Sequence, residues 1–117
     1  MFAYALTISY SNYGYFSVAG KNYHNRATFY SSKETRSQIW SDSGTVSLLT
    51  THADVFKGTA LCVTGTEITV YNGSYDEANA SGSCGSGSYH GRGVTGVSNG
   101  SGGISYYFTF DTASQNL

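Results

Sequence analysis

Proline is absent from this chain of 117 residues, and charged residues make up only 11% of it. No apolar run reaches the roughly 20 residues that a membrane-spanning helix needs. The formal net charge of -1 provides no long-range field that would attract nucleic acid or anionic lipid. We therefore expect no nucleic-acid partner, and a surface built from hydroxyls, amides and aromatic rings favours a neutral polar ligand.

Cysteine is also scarce, since Cys62 and Cys84 are the only two. Cys62 lies in the apolar stretch TALCVTG and Cys84 in the Gly/Ser-rich stretch SGSCGSGS, so a disulfide between them is open but not required. The first twenty residues lack the basic start and apolar stretch of a signal peptide. We therefore expect a cytoplasmic protein in which Cys62 is a buried thiol and Cys84 a separate, more reactive loop thiol.

Tyrosine and glycine are abundant, with 11 and 15 residues, and the apolar residues recur with a period of two. In FAYALTISY every second residue from Phe2 through Tyr4 to Tyr10 is apolar, which predicts a half-buried strand with Tyr10 in the core. Turn signals separate further strands. The predicted strands are GYFSV, YHNRATFY, RSQIW, TVSLLT, TALCVT, TEITVYN and GISYYFTFD. The pattern indicates an all-β fold, an antiparallel β-sandwich, in one domain that spans residues 1–117.

Four finer expectations follow from the same pattern. TTHADVF is the one segment where a helical turn would fit. The Gly/Ser/Asn-rich stretch between YNG and the last strand predicts long surface loops with one short strand near Val94 to Ser98. The last strand has an apolar face of Ile104, Tyr106, Phe108 and Phe110, and we expect it to pair with the first. We also expect a chain reversal at residues 12–14.

The stretch YSNYGYFSV raises the question of whether its rings fill a core or are displayed for a ligand. A reversal at Asn12 to Gly14 would place Tyr10 and Phe16 inside. Tyr13 and Tyr15 would then be at least partly exposed.

Catalytic and metal-binding patterns are missing from the sequence. The three histidines, His24, His52 and His90, have no partner at a zinc-ligand or general acid/base spacing. No nucleophile elbow or phosphate-binding loop is present. Asp76, Glu77 and Asn79 supply too few oxygens for a calcium site. We expect no enzyme activity, no cofactor and no metal.

Sugar binding suits the available residues better. A pyranose presents an apolar C–H face that packs on an aromatic ring, and its hydroxyls need paired donors and acceptors. The glycine-rich loops hold such residues, and they would converge if the loops gather at one end of the sandwich, with a tryptophan as an additional platform. The candidate carbohydrate-binding residues are Trp40, Tyr75, Asp76, Tyr89, His90, Arg92 and Asn99.

Three segments resemble the fungal fruit-body lectins. YALTISYSNYGYFSV is similar to the opening strand pair of that family, EITVYNGSY to its ITV strand, and YYFTFDTASQNL to its final strand; together they cover about a third of the chain. Ser74 stands where the family has an asparagine, and Asp76 and Glu77 stand in place of basic residues. The family's NGGTW loop is missing, so the resemblance leaves the sugar open.

The resemblance implies an actinoporin-like β-sandwich that binds galactose- or N-acetylgalactosamine-containing glycans of glycoproteins or glycolipids. It also implies a homo-oligomer with a role in fungal defence. A second class is an actinoporin-like or aegerolysin-like membrane lipid binder, in which Tyr13, Tyr15 and Trp40 would lie at a lipid interface. A third is a structural or effector domain without a small ligand.

Overall fold

The computed structural model of this protein describes residues 6–117. The expected strand over FAYALTISY therefore lies in part outside the described residues, including Phe2 and Tyr4. The described chain forms eleven strands. They are β1 (Ile8–Tyr10), β2 (Gly14–Val18), β3 (Lys21–Tyr30), β4 (Glu34–Ser41), β5 (Val46–Lys57), β6 (Ala60–Thr64), β7 (Ile68–Gly73), β8 (Tyr75–Ser81), β9 (Ser88–Ser98), β10 (Ile104–Phe108) and β11 (Gln115–Asn116).

Two antiparallel sheets pack face to face, which confirms the predicted all-β sandwich. The first sheet has the order β1-β3-β4-β8, with β2 also paired to β3. The second sheet has the order β10-β9-β5-β6, with β7 also paired to β5 and β11 to β9. We call the face of each sheet that points away from the other sheet its outer face. Residues 6–117 contain no helix that could span a membrane.

The core between the sheets consists of two apolar clusters. One contains Tyr23, Ile39, Val46, Leu49 and Val97, and the other contains Phe29, Ala53, Val55, Ala80 and Tyr89. Small polar side chains are also buried there and bond to one another across the sheets. Asn25 Nδ2 lies 2.8 Å from Thr95 Oγ1, and the hydroxyls of Ser37 and Thr51 lie 2.7 Å apart. These bonds satisfy buried polar groups that would otherwise destabilise the core.

Glycines in β9 allow the two sheets to approach closely. A Cβ built on Gly93 would lie 2.5 Å from the Cβ of Ser37 in β4 and 3.1 Å from Thr109 Cγ2. Gly91 meets Thr35 of β4 in the same way. The glycines therefore serve as inward-facing strand residues opposite hydroxyl side chains, and no larger residue fits in their place.

This packing overturns two sequence expectations. The expected loop region after YNG contains β8 and the eleven-residue strand β9, because Ala78, Ala80, Tyr89 and Val97 point inward at alternate positions. The short strand predicted near Val94 to Ser98 is the end of β9. The expected helical turn TTHADVF lies inside β5. Its alternation was hidden in the sequence, since its inward residues include the small or polar Thr51 and Ala53 as well as Val55.

The opening stretch also differs from the expected register. β1 and β2 both run antiparallel to β3, so the chain keeps the same direction before and after residues 12–14. The expected chain reversal at these residues does not occur. Tyr10 is 57% exposed and the prediction that it fills the core is wrong, because Ser9 is the residue that faces inward, opposite Phe29. Phe16 packs against the first core cluster, and Tyr13 and Tyr15 are exposed, as predicted.

The last long strand points its apolar face outward. Ile104, Tyr106, Phe108 and the following Phe110 are all exposed. Tyr107, on the other side of the strand, is still 36% exposed and stacks on Phe16 at a centroid distance of 4.0 Å. β10 pairs with β9, and β1 pairs with β3. The expected pairing of the first and last strands is therefore absent from the described part of the chain.

Cys62 and Cys84 form a disulfide, so the prediction of two separate thiols is wrong. The bond joins β6 to the β8–β9 connection. This connection also receives the ammonium group of Lys57, whose Nζ lies 2.9 Å from the carbonyl oxygen of Cys84. The Gly/Ser-rich stretch around Cys84 is thus fastened to the end of the second sheet.

Candidate functional site

The structure distributes the seven sequence-predicted site residues over four places and does not bring them together at one end of the sandwich. Trp40 and Tyr75 lie on the outer face of the first sheet, and His90 and Arg92 lie on the outer face of the second. Asp76 and Tyr89 are buried between the sheets, and Asn99 lies in the β9–β10 turn.

Four aromatic side chains lie side by side across the outer face of the first sheet. Tyr15 of β2 is the cross-strand partner of His24 in β3, His24 is the partner of Trp40 in β4, and Trp40 is the partner of Tyr75 in β8. Successive ring centroids are 5.8, 4.7 and 5.3 Å apart. We call these four residues the aromatic row. With strands about 4.8 Å apart, the row extends over roughly 14 Å.

Strand alternation explains why all four rings share a face. Phe16, Tyr23 and Ile39 point into the core, so their sequence neighbours Tyr15, His24 and Trp40 point outward. In β8 the buried Asp76 has the same effect on Tyr75. The row therefore depends on the register of four strands, and each strand contributes one ring.

Tyr13 and Arg26 extend the aromatic row along the strands. The Tyr13 ring lies 5.3 Å from that of His24 and 6.0 Å from that of Trp40. The Arg26 guanidinium carbon lies 4.8 Å from the centroid of the Tyr10 ring and 4.9 Å from that of Tyr13. Such cation–π contacts hold the guanidinium in a fixed orientation on the surface.

Two polar side chains lie next to the aromatic row, Arg26 of β3 and Gln38 of β4. Arg26 donates from Nε and Nη2 to Gln38 Oε1 at 3.4 and 3.3 Å, and Gln38 Nε2 donates to the Tyr75 hydroxyl at 3.1 Å. Partial burial raises the pKa of Tyr75 above its ordinary value, and the negative charge of Glu77 adds to the rise. The Tyr75 hydroxyl therefore stays protonated at neutral pH.

His24 is oriented by a carboxylate at the end of its strand. Its Nδ1 lies 2.8 and 2.9 Å from the two carboxylate oxygens of Asp42. A carboxylate only accepts hydrogen bonds, so Nδ1 carries the proton. In the neutral imidazole Nε2 is then an acceptor. The site thus combines ring surfaces with donors from Arg26 and Gln38 and an acceptor on His24.

Asp76 and Tyr89 do not have the roles expected from the sequence. Asp76 is buried between the sheets, where Oδ1 accepts from the Glu77 backbone N–H at 2.8 Å and Oδ2 has no partner in the described part of the chain. Burial raises the pKa of this carboxyl to about 6. The Tyr89 side chain is 0% exposed, and its hydroxyl accepts from the Cys84 N–H at 2.8 Å. Neither side chain is open to a ligand.

Asn99 holds the β9–β10 turn. Its Oδ1 accepts from the backbone N–H groups of Ser101 at 2.8 Å and Gly103 at 3.1 Å. This is the local capping that asparagine often provides in turns. The acceptor oxygen that the sequence offered for a sugar hydroxyl is therefore used within the turn.

The sequence predicts Trp40 and Tyr75 as binding residues and Tyr13 and Tyr15 as exposed rings. It does not predict a site role for four of their neighbours, namely His24, Arg26, Gln38 and Asp42. Their outward positions follow from the period of two in each strand, whereas their proximity depends on the strand order.

No group of three or more His, Cys, Asp or Glu side chains within residues 6–117 is placed to hold a metal ion. A cavity of about 330 Å³ lies farther along β4 and β8, lined by Arg36, Ile68, Glu77, Ala78 and Asn79.

Comparison with protein-family models, with curated proteins and with solved structures found no match.

Proposed function

We propose that this protein is a lectin that binds galactose- or N-acetylgalactosamine-containing glycans on the outer face of the first sheet. The observation that carries the proposal is the register that sets Tyr15, His24, Trp40 and Tyr75 next to one another on an exposed surface. Aromatic surface combined with a small number of oriented polar groups is the usual composition of a site for a neutral polar ligand.

The chemistry of the site fits a sugar in two respects. The exposed rings of Tyr13 and Tyr15 provide apolar surface for the C–H face of a pyranose. Arg26 and Gln38 provide donors, and His24 Nε2 provides an acceptor, for the hydroxyls at the ring edge. The length of the aromatic row, roughly 14 Å from the strand spacing, exceeds one hexose ring, so we expect an oligosaccharide to bind more tightly than a monosaccharide.

The biological setting is part of the same proposal. The role in fungal defence and the homo-oligomer rest on the resemblance to the fungal fruit-body lectins alone. The cytoplasmic location predicted from the sequence also stays a prediction, and the Cys62–Cys84 disulfide favours an oxidising compartment instead. Non-reducing gel electrophoresis of protein from its native source tests the redox state directly.

Binding to a lipid surface is the second candidate function. Tyr10, Tyr13 and Tyr15 are exposed on the same face, and amphipathic rings of this kind are common at membrane interfaces. The low net charge fits a neutral headgroup such as that of sphingomyelin better than an anionic one. A glycolipid would join both functions, because its sugar would bind at the membrane surface.

The test compares two tyrosines of similar exposure on opposite sheets. Tyr15 is 75% exposed in the first sheet, and Tyr71 is 69% exposed in the second. We expect Tyr15→Ala to weaken binding of a galactose-terminated glycan about fivefold, since an aromatic contact contributes about 1 kcal/mol. Tyr71→Ala should bind like the unmodified protein. Calorimetry gives the affinities, and the emission of Trp40, the only tryptophan, reports contact with the row.

Vesicles provide the second arm of this experiment. Binding to glycan without sedimentation on sugar-free sphingomyelin vesicles supports the lectin. If the protein sediments with those vesicles but binds no glycan, and Tyr15→Ala reduces the sedimentation, the lipid binder is supported. Glycan binding that neither variant changes, with constant Trp40 emission, would place the sugar site away from the aromatic row.

A further inference from the structure

Arg92 lies on the outer face of the second sheet, away from the aromatic row, and among residues 6–117 it lacks the polar partner that the other arginines have. Arg26 bonds to Gln38, and Arg36 bonds to Glu34. Arg92 Nε is buried without a hydrogen-bond partner, and no carboxylate of residues 6–117 lies within ion-pair distance of this side chain. A buried N–H group without a partner is costly, and in Arg92 this group is Nε.

Two phenylalanine rings hold the Arg92 guanidinium. Its central carbon lies 4.7 Å from the centroid of the Phe56 ring and 4.3 Å from that of Phe108. Contacts with aromatic rings stabilise a guanidinium but provide no acceptors for its N–H groups. The two Nη groups form a planar fork that matches the two oxygens of a carboxylate.

The nearby acids of the protein are held in other contacts. Asp54 is the cross-strand partner of Arg92, but its Oδ1 accepts from Thr64 Oγ1 at 2.6 Å and its Oδ2 lies 3.5 Å from His52 Nε2. Asp111 Oδ2 lies 3.6 Å from His90 Nε2. Neither carboxylate reaches the guanidinium, which leaves its Nη groups to an external acceptor.

We propose that Arg92, held between Phe56 and Phe108, is a binding site for the carboxylate group of a ligand. The site goes beyond the proposed lectin function, since it lies on the opposite sheet and recognises a charged group. Phe108 is 63% exposed and offers apolar surface to the part of the ligand next to its carboxylate. Two sources share this chemistry, a free organic acid and an acidic sugar.

The experiment measures binding of galacturonate, its uncharged methyl ester and acetate by two-dimensional NMR. We expect galacturonate to bind and to shift resonances of Phe56, Phe108 and His90, and the ester to bind at least about tenfold more weakly, because charge-assisted hydrogen bonds are lost. Acetate that binds as well as galacturonate identifies a site for free carboxylates. Acetate that binds much more weakly identifies a site for acidic sugars.

Two variants and one control locate the contact. Arg92→Lys keeps the charge but loses the planar fork, so galacturonate affinity should fall about tenfold. Phe108→Leu alters only an exposed side chain and should lower the affinity severalfold. Arg36→Lys, a paired arginine on the first sheet, should leave it unchanged. Three results would overturn the proposal. One is equal affinity for galacturonate and its methyl ester, and another is no detectable binding of galacturonate even at millimolar concentration. The third is unchanged galacturonate affinity in both Arg92→Lys and Phe108→Leu. Shifts confined to the aromatic row would assign galacturonate to the lectin site instead.

Discussion

The imidazole of His24 stacks on the indole of Trp40, with ring centroids 4.7 Å apart and an angle of 8° between the planes. Asp42 holds the same imidazole through Nδ1. The two contacts leave His24 little freedom to rotate, so its Nε2 is oriented before any ligand arrives. Orientation in advance lowers the entropy that binding must offset.

Removing the Asp42 carboxylate should therefore weaken glycan binding without unfolding the protein. We expect Asp42→Ala to lower the affinity about three- to tenfold, because His24 loses its hydrogen-bond partner and populates other orientations. The matched control is Asp111→Ala, which removes the carboxylate next to His90 on the opposite sheet. Calorimetry with a galactose-terminated oligosaccharide checks both variants. Equal affinities for the two would mean that the contact of Asp42 with His24 does not contribute to binding.

The strands themselves could be predicted where the inward residues are large. GYFSV coincides with β2, and YHNRATFY and RSQIW lie within β3 and β4, because Phe16, Tyr23, Phe29 and Ile39 alternate with polar neighbours. The short strand predicted near Val94 to Ser98 is the end of β9. The first half of β9 is not predicted, because its inward residues include Gly91 and Gly93. Alternation of glycine with polar residues produces no hydrophobic pattern, and only the opposite sheet shows why glycine is needed.

The candidate site was less predictable than the fold. Trp40 and Tyr75 are separated by 35 positions in the sequence, and they become neighbours because β4 pairs with β8 instead of β5. Tyr89 shows the opposite error, since a tyrosine in a Gly/Ser-rich stretch was expected on the surface and is buried in the core. Neither outcome can be obtained from local periodicity, because both depend on long-range strand order.

Asp76 should make the stability of the protein depend on pH. Burial raises the pKa of this carboxyl from 3.8 to about 6. The folded state therefore retains the Asp76 proton over a pH range in which the unfolded chain has lost it. The stabilisation that results is complete below the unfolded pKa and is lost as the pH rises from about 4 to above 6. The difference is on the order of 2 to 3 kcal/mol.

Asp76→Asn should remove that part of the pH dependence. We expect the variant to unfold at higher urea concentration than the unmodified protein at pH 7.5, and at a similar concentration near pH 4. Urea unfolding at both pH values measures the change in free energy. Asp111→Asn, at an exposed carboxylate, is the control and should leave the pH dependence as it is. A destabilised Asp76→Asn protein at pH 7.5 would show that the ionised carboxylate is needed for folding.

The disulfide between Cys62 and Cys84 should contribute substantially to stability. It closes a loop with a sequence separation of 22, and cross-links of this length typically stabilise a protein by about 3 kcal/mol. We expect the double variant Cys62→Ser, Cys84→Ser to lose about 2 to 4 kcal/mol in the free energy of unfolding. Urea unfolding checks the loss. Intact mass before and after reduction should differ by the mass of two hydrogen atoms, and an unchanged mass would show that the native thiols are free.

Gly93 and Ser37 should be coupled energetically, because they set the distance between the two sheets. A Cβ at position 93 would lie 2.5 Å from Ser37 Cβ, so Gly93→Ala must displace β9 from β4. We expect a loss of about 2 kcal/mol or more in the free energy of unfolding, as is usual when a packed core is overfilled.

Ser37→Gly removes the obstacle but also the hydrogen bond to Thr51, which should cost about 1 kcal/mol. The double variant should therefore be more stable than the sum of the two losses predicts, by at least about 1 kcal/mol. Urea unfolding of all four proteins completes the cycle. Losses that simply add would mean that the contact between Gly93 and Ser37 does not set the spacing of the sheets.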